Sequence, residues 1–334
     1  MPISRIVKTL VATSIAALFF GAAAHAADKA TLLLNWYAYG EHAPFFLGKE
    51  KGFYAKHGID LDIQEGRGSA VTIQAVAAGT VNFAYADVPT MIRAAVKGAP
   101  VVAVGIALER SPMSVMGFKD KNIRKPEDIK GKTVAMTPGD SMSQIWPLFL
   151  KKTGLKESDF KVVSGDAQTK LNAVALGRAD LLLGYVMDQS MKLKDATGKD
   201  VYPIMFADYG INMVSSGVIV AKDTLKTNPD LVRRFMAATT ESIEYASKHP
   251  KEAAQSILNA LPKAGKLPTL EEGFELTIPL YHTKETEGQP PLRVTDKDMA
   301  DTVDLLVKYG GVAASAAKDP KAYYTNDYLP AAGN

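Results

Sequence analysis

The sequence predicts an α/β protein of two similar lobes, and three observations carry that prediction. The segment QAVAAGTVNFAY from Gln74 aligns with NAVALGRADLLL from Asn172, 98 positions further on. Each copy reads as the end of a small-residue helix, a glycine cap, and a short apolar strand of the buried kind. Apolar runs of strand length alternate with helix-like stretches along the rest of the chain, the pattern of lobes built on mainly parallel sheets. The only apolar run of a different character lies at the N-terminus, so two lobes with a cleft between them account for the remainder.

The elements follow in order. Thr31 to Asn35 reads as a buried strand, and the aromatic, glycine-broken stretch Trp36 to His42 follows it. Pro44 opens a helix at its first position, and that helix closes at Gly58. Ile59 to Gln64 is the next strand, and Gly66-Arg67-Gly68-Ser69 begins the helix that enters the first repeat copy. Val101 to Ile106 and Met113 to Phe118 are further strands, the second leading into the other lobe. Lys125 to Lys132 makes a short helix and turn, Thr133 to Met136 a strand, and Thr137-Pro138-Gly139-Asp140-Ser141 a helix start. The second copy, a strand at Val201 to Phe206 and a returning strand at Ser216 to Val220 complete the lobe. Beyond Asn228-Pro229 the apolar positions recur at helical spacing.

Residues 1–26 read as a cleaved secretory leader. Arg5 and Lys8 supply the positive start, Thr9 to Gly21 the apolar stretch, and Ala24-His25-Ala26 the cleavage signal. Roughly 13 apolar residues fall short of the ~20 that a membrane span needs. The chain has no cysteine, which excludes a disulfide and a cysteine-linked lipid anchor. Its formal net charge is +3, and removing Arg5 and Lys8 leaves +1. That balance gives no electrostatic case for nucleic acid or an anionic membrane surface. Together these features predict a soluble, exported protein of a bacterial periplasm that is not embedded in the membrane.

Several segments, in this order and spacing, resemble a known family. They are GFYAKHGIDLD from Gly52, Gly66 to Ser69, the two Gly-x-x-Asn/Asp elements, DIKGKTVA from Asp128, and YTNDYLP from Tyr324. The resemblance is to a group of ABC-importer substrate-binding proteins serving nitrate, alkanesulfonates, taurine and pyrimidine precursors of thiamine. The group includes a fungal thiamine-pyrimidine synthase branch. It implies a type II periplasmic-binding-protein fold, with two α/β lobes joined by two crossover strands that close like a flytrap on a ligand. Residues 27–115 and 218–334 are expected to form lobe 1 and residues 116–217 lobe 2, with hinges at Met113 to Phe118 and Ser215 to Val220. The implied partners are a small-molecule ligand, an ABC permease contacted directly, and its ATPase subunit. The chain is expected to act as a monomer with no cofactor and no metal.

Parallel α/β lobes bind ligands where strands end and helices begin, which selects five segments. Asn35 offers an amide, Trp36, Tyr37 and Tyr39 flat faces for stacking, and His42 an imidazole. Gly68 with Ser69, and Gly139 with Ser141, present backbone N–H groups at helix starts, which also fits ordinary capping. Tyr85 with Asp87, and Tyr185 with Asp188, would place a carboxylate at the cleft from each lobe, although Asp87 also reads as a helix cap. Carboxylates in a cleft repel oxyanions and attract amino groups. The expected ligand is therefore a flat amino-bearing heterocycle such as a thiamine-precursor pyrimidine, with sulfonate, taurine, nitrate or another oxyanion as the alternative. An enzyme like the fungal branch, which that resemblance associates with a cysteine-rich iron segment, and a sensory module on the same fold are the readings from other classes.

Overall fold

The computed structural model describes residues 27–331, so the expected leader lies outside it. Ten strands form two five-stranded sheets. The first contains β1 (Asp28–Leu33), β2 (Ile59–Gln64), β3 (Phe83–Asp87) and β4 (Val101–Ile106), the second β5 (Met113–Phe118), β6 (Thr133–Met136), β7 (Lys161–Ser164), β8 (Leu181–Tyr185) and β9 (Val201–Met205). The last strand, β10 (Ser216–Ala221), returns to the first sheet. The orders are β2-β1-β3-β10-β4 and β7-β6-β8-β5-β9. The sheets are mixed rather than mainly parallel in their pairing: β10 runs antiparallel to both β3 and β4, and β5 to both β8 and β9. In each sheet the reversed strand is the one that has just arrived from the other lobe.

The repeat folds as two copies of one device. Gly79 and Gly177 both take a left-handed conformation, at φ of 70° and 71°, which only glycine adopts without strain. Thr80 N–H donates to the Ala75 carbonyl at 3.1 Å in the first copy, and Arg178 N–H to Ala173 at 2.7 Å in the second, the same helix-terminating loop. Three residues past each glycine, Asn82 accepts the Thr31 N–H at 2.8 Å and Asp180 the Thr133 N–H at 2.9 Å. Each polar side chain thus ties its own strand to the parallel neighbour, the physical reason for Asn or Asp at that place.

Several local details differ from the sequence reading. The helix from Pro44 is split into Ala43–Glu50 and Phe53–Lys56 by Gly52, whose φ is 76°. The first strand ends at Leu33, leaving Asn35 in the turn beyond it. β7 is an exposed edge strand with Lys161 at its start, so it carries no buried apolar run for sequence reading to find. Met113–Phe118 and Ser216–Ala221 pair along their length within their own sheets, so neither is a free connector. The chain passes between lobes just before each of them, at residues 107–112 and 206–215.

The helices that follow β10, including Pro229–Lys248 and Asp296–Lys308, cover the first sheet. Phe235 stacks on Phe83 at a centroid distance of 3.8 Å in that core. The YTNDYLP segment lies against β4, where Thr325 N–H donates to the Ala103 carbonyl at 2.9 Å. Among the described residues no helix is long and apolar enough to cross a membrane.

Candidate functional site

The lobes meet across the cleft and hold it shut by direct contacts. Tyr37 of the first lobe donates its hydroxyl to Asp188 of the second, at 2.8 and 3.1 Å from the two carboxylate oxygens. Ala70 N–H donates to the Gly139 carbonyl at 3.2 Å, and Lys266 pairs with Asp195 at 2.6 Å. Gly68, at φ 136°, is wedged so closely against the second lobe that a Cβ would lie 2.8 Å from the Gly139 oxygen.

Between these contacts is a cavity with about 30 Å³ of space for the centre of a water molecule. Of the residues singled out from sequence, Asn35, Trp36, Tyr39, Gly68, Ser69, Ser141, Tyr185 and Asp188 line it. They come from the turns after β1, β2 and β6 and from the end of β8 onward, the strand ends that the α/β rule selects. Tyr85, Asp87, His42 and Gly139 do not line it.

Each of those four is engaged elsewhere for a definable reason. Asp87 caps the helix Val88–Val96: one oxygen accepts the Thr90 N–H at 2.9 Å and the Thr90 hydroxyl at 2.6 Å. Its other oxygen accepts Ser215 at 3.4 Å, and burial pushes its pKa up to about 6. Gly139 makes the interlobe contact described above. Tyr85 donates to Glu41 at 2.8 Å, and Tyr39 donates to the other oxygen of the same carboxylate. Glu41 is buried beneath the cavity wall, and burial raises its pKa to about 7.

His42 acts on the cavity through Asn35. Its Nδ1 accepts the Tyr39 N–H at 3.4 Å, so Nε2 carries the proton and donates to Asn35 Oδ1 at 2.8 Å. Complete burial lowers the imidazole pKa to about 3, keeping it neutral. With its oxygen fixed in this way, Asn35 has its NH₂ group left for the cavity.

The electrostatics turn on residues that sequence reading did not single out. Lys170, buried to 2% exposure in the helix Ala167–Ala175, lines the cavity and pairs with Asp140 at 3.2 Å. It also lies 5.1 Å from the centre of the Trp36 ring. Among the described lining residues it is the only cation. A signal for it exists: continued backwards at the same offset, the repeat sets Lys170 against Thr72, in the first turn of the cleft-facing helix Ser69–Ala77. Gln189 and Met142 also line the cavity. Gln189 accepts the Tyr185 N–H at 2.9 Å and donates to Asp188 and, at 3.2 Å, to Tyr37. Burial raises the Asp188 pKa, opposed by Lys192 nearby.

Two wall groups show what a ligand would meet. Trp36 Nε1 is buried with no hydrogen-bond partner among the described residues. Tyr185 belongs to a chain of hydroxyls, receiving Ser141 at 3.0 Å and lying 3.1 Å from Ser215 Oγ, which leads to Asp87. The cavity thus offers an indole, an amide, one carboxylate held by tyrosine, and a lysine whose charge Asp140 balances.

The family described as NMT1/THI5 like matches residues 40–253. A 4-amino-5-hydroxymethyl-2-methylpyrimidine phosphate synthase of Legionella pneumophila is 27% identical over 306 residues, 91% of this chain and 93% of that protein. A riboflavin-binding protein of Chloroflexus aurantiacus is 25% identical over 91% of this chain and 86% of its own length. The alkanesulfonate-binding protein of Xanthomonas axonopodis, solved with MOPS bound, superposes with a TM-score of 0.65 at 13% identity, covering 89% of this chain and 98% of that one. The last likeness confirms the two-lobed periplasmic-binding fold. With the family match spanning more than half of its length, the chain belongs to the NMT1/THI5-like family of ABC-importer substrate-binding proteins.

Proposed function

We propose that the protein is the exported solute-binding component of an ABC importer and that it captures a flat amino-bearing heterocycle, of the thiamine-precursor pyrimidine kind, by lobe closure. The carrying observation is the pairing of charges around the cavity. Lys170 is neutralised by Asp140, so Asp188 is left as the carboxylate facing Trp36 and Asn35. An amino group and ring N–H would donate to Asp188 with charge-assisted strength, about 1.5–3 kcal/mol. The ring would lie along the indole, and the Asn35 NH₂ would meet a ring nitrogen. Adding a water radius on every side enlarges the cavity to roughly 150 Å³, which suits one substituted six-membered ring and not a three-ring flavin. The synthase name of the Legionella relative fits the same pyrimidine chemistry.

One observation favours an oxyanion instead. Lys170 and the helix start at Gly68 and Ser69 both face the cavity, and a rearranged Asp140 would free a cation there. Melting curves with aminopyrimidines, taurine, other sulfonates, nitrate and riboflavin separate these readings. A ligand at a hundredfold excess over its Kd adds about 2.7 kcal/mol of stability. Stabilisation by an aminopyrimidine alone is the expected result; stabilisation by taurine or nitrate alone overturns the choice.

A further inference from the structure

Tyr37 stands between two spaces. It does not line the interlobe cavity, yet four residues that do are its neighbours. Its ring centre lies 5.5 Å from that of Trp36 and 6.2 Å from that of Tyr39, and its hydroxyl donates to Asp188 and accepts from Gln189. Tyr37 lines instead a groove between the lobes, with about 540 Å³ of space for the centre of a water molecule against about 30 Å³ in the cavity. The helix Ala167–Ala175 divides in the same way: Lys170 lines the cavity, whereas Ala167 and Leu171 line the groove. The wall between the two spaces is therefore one side chain thick, and at Tyr37 that side chain is a partly exposed phenol ring.

The ring is held at its tip and on its face. Its hydroxyl bonds Asp188 and Gln189, and Lys192 brings its ammonium to 3.5 Å from the ring centre, a cation–π contact from the other lobe. Lys192 lies one turn beyond Asp188 at the start of the helix Gln189–Thr197, so acid and cation grip the same side chain from one helical face. Turning the ring aside breaks a charge-assisted hydrogen bond and this contact together. Beyond the ring, the groove sets Lys192 and Lys263 against a single carboxylate, Glu65, whose Oε1 already accepts the Ala38 N–H at 2.6 Å.

Resting on the pyrimidine reading of the cavity, we propose that Tyr37 is its specificity-determining residue: the ring is a partition that admits a compact ligand and excludes the same ligand carrying an anionic tail. The groove has the room and the charge for such a tail, and the partition denies access to it. A phosphate ester on the exocyclic carbon of an aminopyrimidine supplies a tail of that sign. Confined to the cavity it is repelled by Asp188; with the ring gone it reaches Lys192 and Lys263.

Calorimetric titration with 4-amino-5-hydroxymethyl-2-methylpyrimidine and with its phosphate monoester tests this, the ratio of the two Kd values being the readout. Wild type should favour the alcohol by at least about tenfold. Tyr37→Ala joins cavity and groove, so it should move the ratio at least about tenfold toward the phosphate, and adding Lys192→Ala should take back most of that gain. Tyr37→Phe keeps the ring and loses only the hydroxyl, so it should weaken both ligands and leave their ratio near that of wild type. A smaller wild-type preference, a smaller shift in Tyr37→Ala, an equal shift in Tyr37→Phe, or a gain that survives Lys192→Ala in full overturns the partition, while binding of the alcohol still upholds the pyrimidine reading. Taurine and MOPS, a compact and an extended sulfonate, form a second pair. If they bind and the pyrimidines do not, the pyrimidine reading falls, and the ratio within this pair, in wild type, Tyr37→Ala and Tyr37→Phe, decides on the partition. Binding of none of the four overturns both. Should Tyr37→Ala fail to fold by circular dichroism, Tyr37→Ser takes its place.

Discussion

Replacing Asp188 by Asn, with Asp87→Asn beside it, tests the assignment of the cavity most directly. Asp188 is 3% exposed and faces the cavity, and it receives hydrogen bonds from Tyr37 and Gln189. The substitution keeps the shape and removes the charge. For an amino-bearing ring the loss is that of a charge-assisted hydrogen bond, about 1.5–3 kcal/mol, or a roughly 10- to 150-fold weaker Kd. For an oxyanion the same change is neutral or favourable, because a repelling charge has gone. Asp87→Asn is the counterpart: its carboxylate accepts Thr90 twice and Ser215 once and does not reach the cavity. An amide has one acceptor oxygen in place of two, so a stability loss of about 1–2 kcal/mol is expected with affinity unchanged. Isothermal titration with a hydroxymethyl-aminopyrimidine, with urea unfolding of both variants, gives the two numbers. A folded Asp188→Asn protein with wild-type affinity would refute the reasoning, as would a tenfold affinity loss in Asp87→Asn.

Other perturbations follow from the same geometry. Tyr37→Phe removes the hydroxyl that joins the lobes, so the ligand-free chain should show a larger radius of gyration in solution scattering and bind ligand several-fold more weakly; an unchanged profile and affinity would exclude a latch. Gly68→Ala combines a backbone strained at φ 136° with a methyl 2.8 Å from the Gly139 oxygen, so it should hold the cleft open and cost at least tenfold in affinity, with closure by scattering as the check. Glu41 has a folded pKa raised to about 7 from 4.5, so the folded state binds the extra proton and this group's stabilisation is lost as pH rises through that window, at most about 3 kcal/mol. Glu41→Gln should flatten the fall in stability between pH 4.5 and 7, and an identical pH slope in urea unfolding would contradict it. His42 acts in the opposite sense, since its lowered pKa makes stability fall as pH drops from 6.5 toward 3.

The sequence by itself determined the two-lobed α/β architecture, because that information is local and repeated. A glycine that must take positive φ, a polar residue three places later that must tie two parallel strands, and an apolar run of strand length recur in Gly79 to Phe83 and Gly177 to Leu181. The rule that ligands lie beyond strand ends was equally local, and it led to Asn35, Trp36, Ser141 and Asp188. The tertiary structure alone decided which groups are free there. Asp87 and Asp188 each end a strand-to-helix passage and look alike in sequence, yet Asp87 finds donors in its own helix and in Ser215, while Asp188 finds Tyr37 across the cleft. Lys170 and the edge strand before it carry no apolar pattern, so pairing of that amine with Asp140 is decided by the packing of the second lobe, and its approach to Trp36 by the meeting of the two lobes. Short-range steric and capping requirements are written into neighbouring residues, whereas the Lys170–Asp140 pair inside the second lobe and the Tyr37–Asp188 contact across the cleft join groups 30 and 151 positions apart.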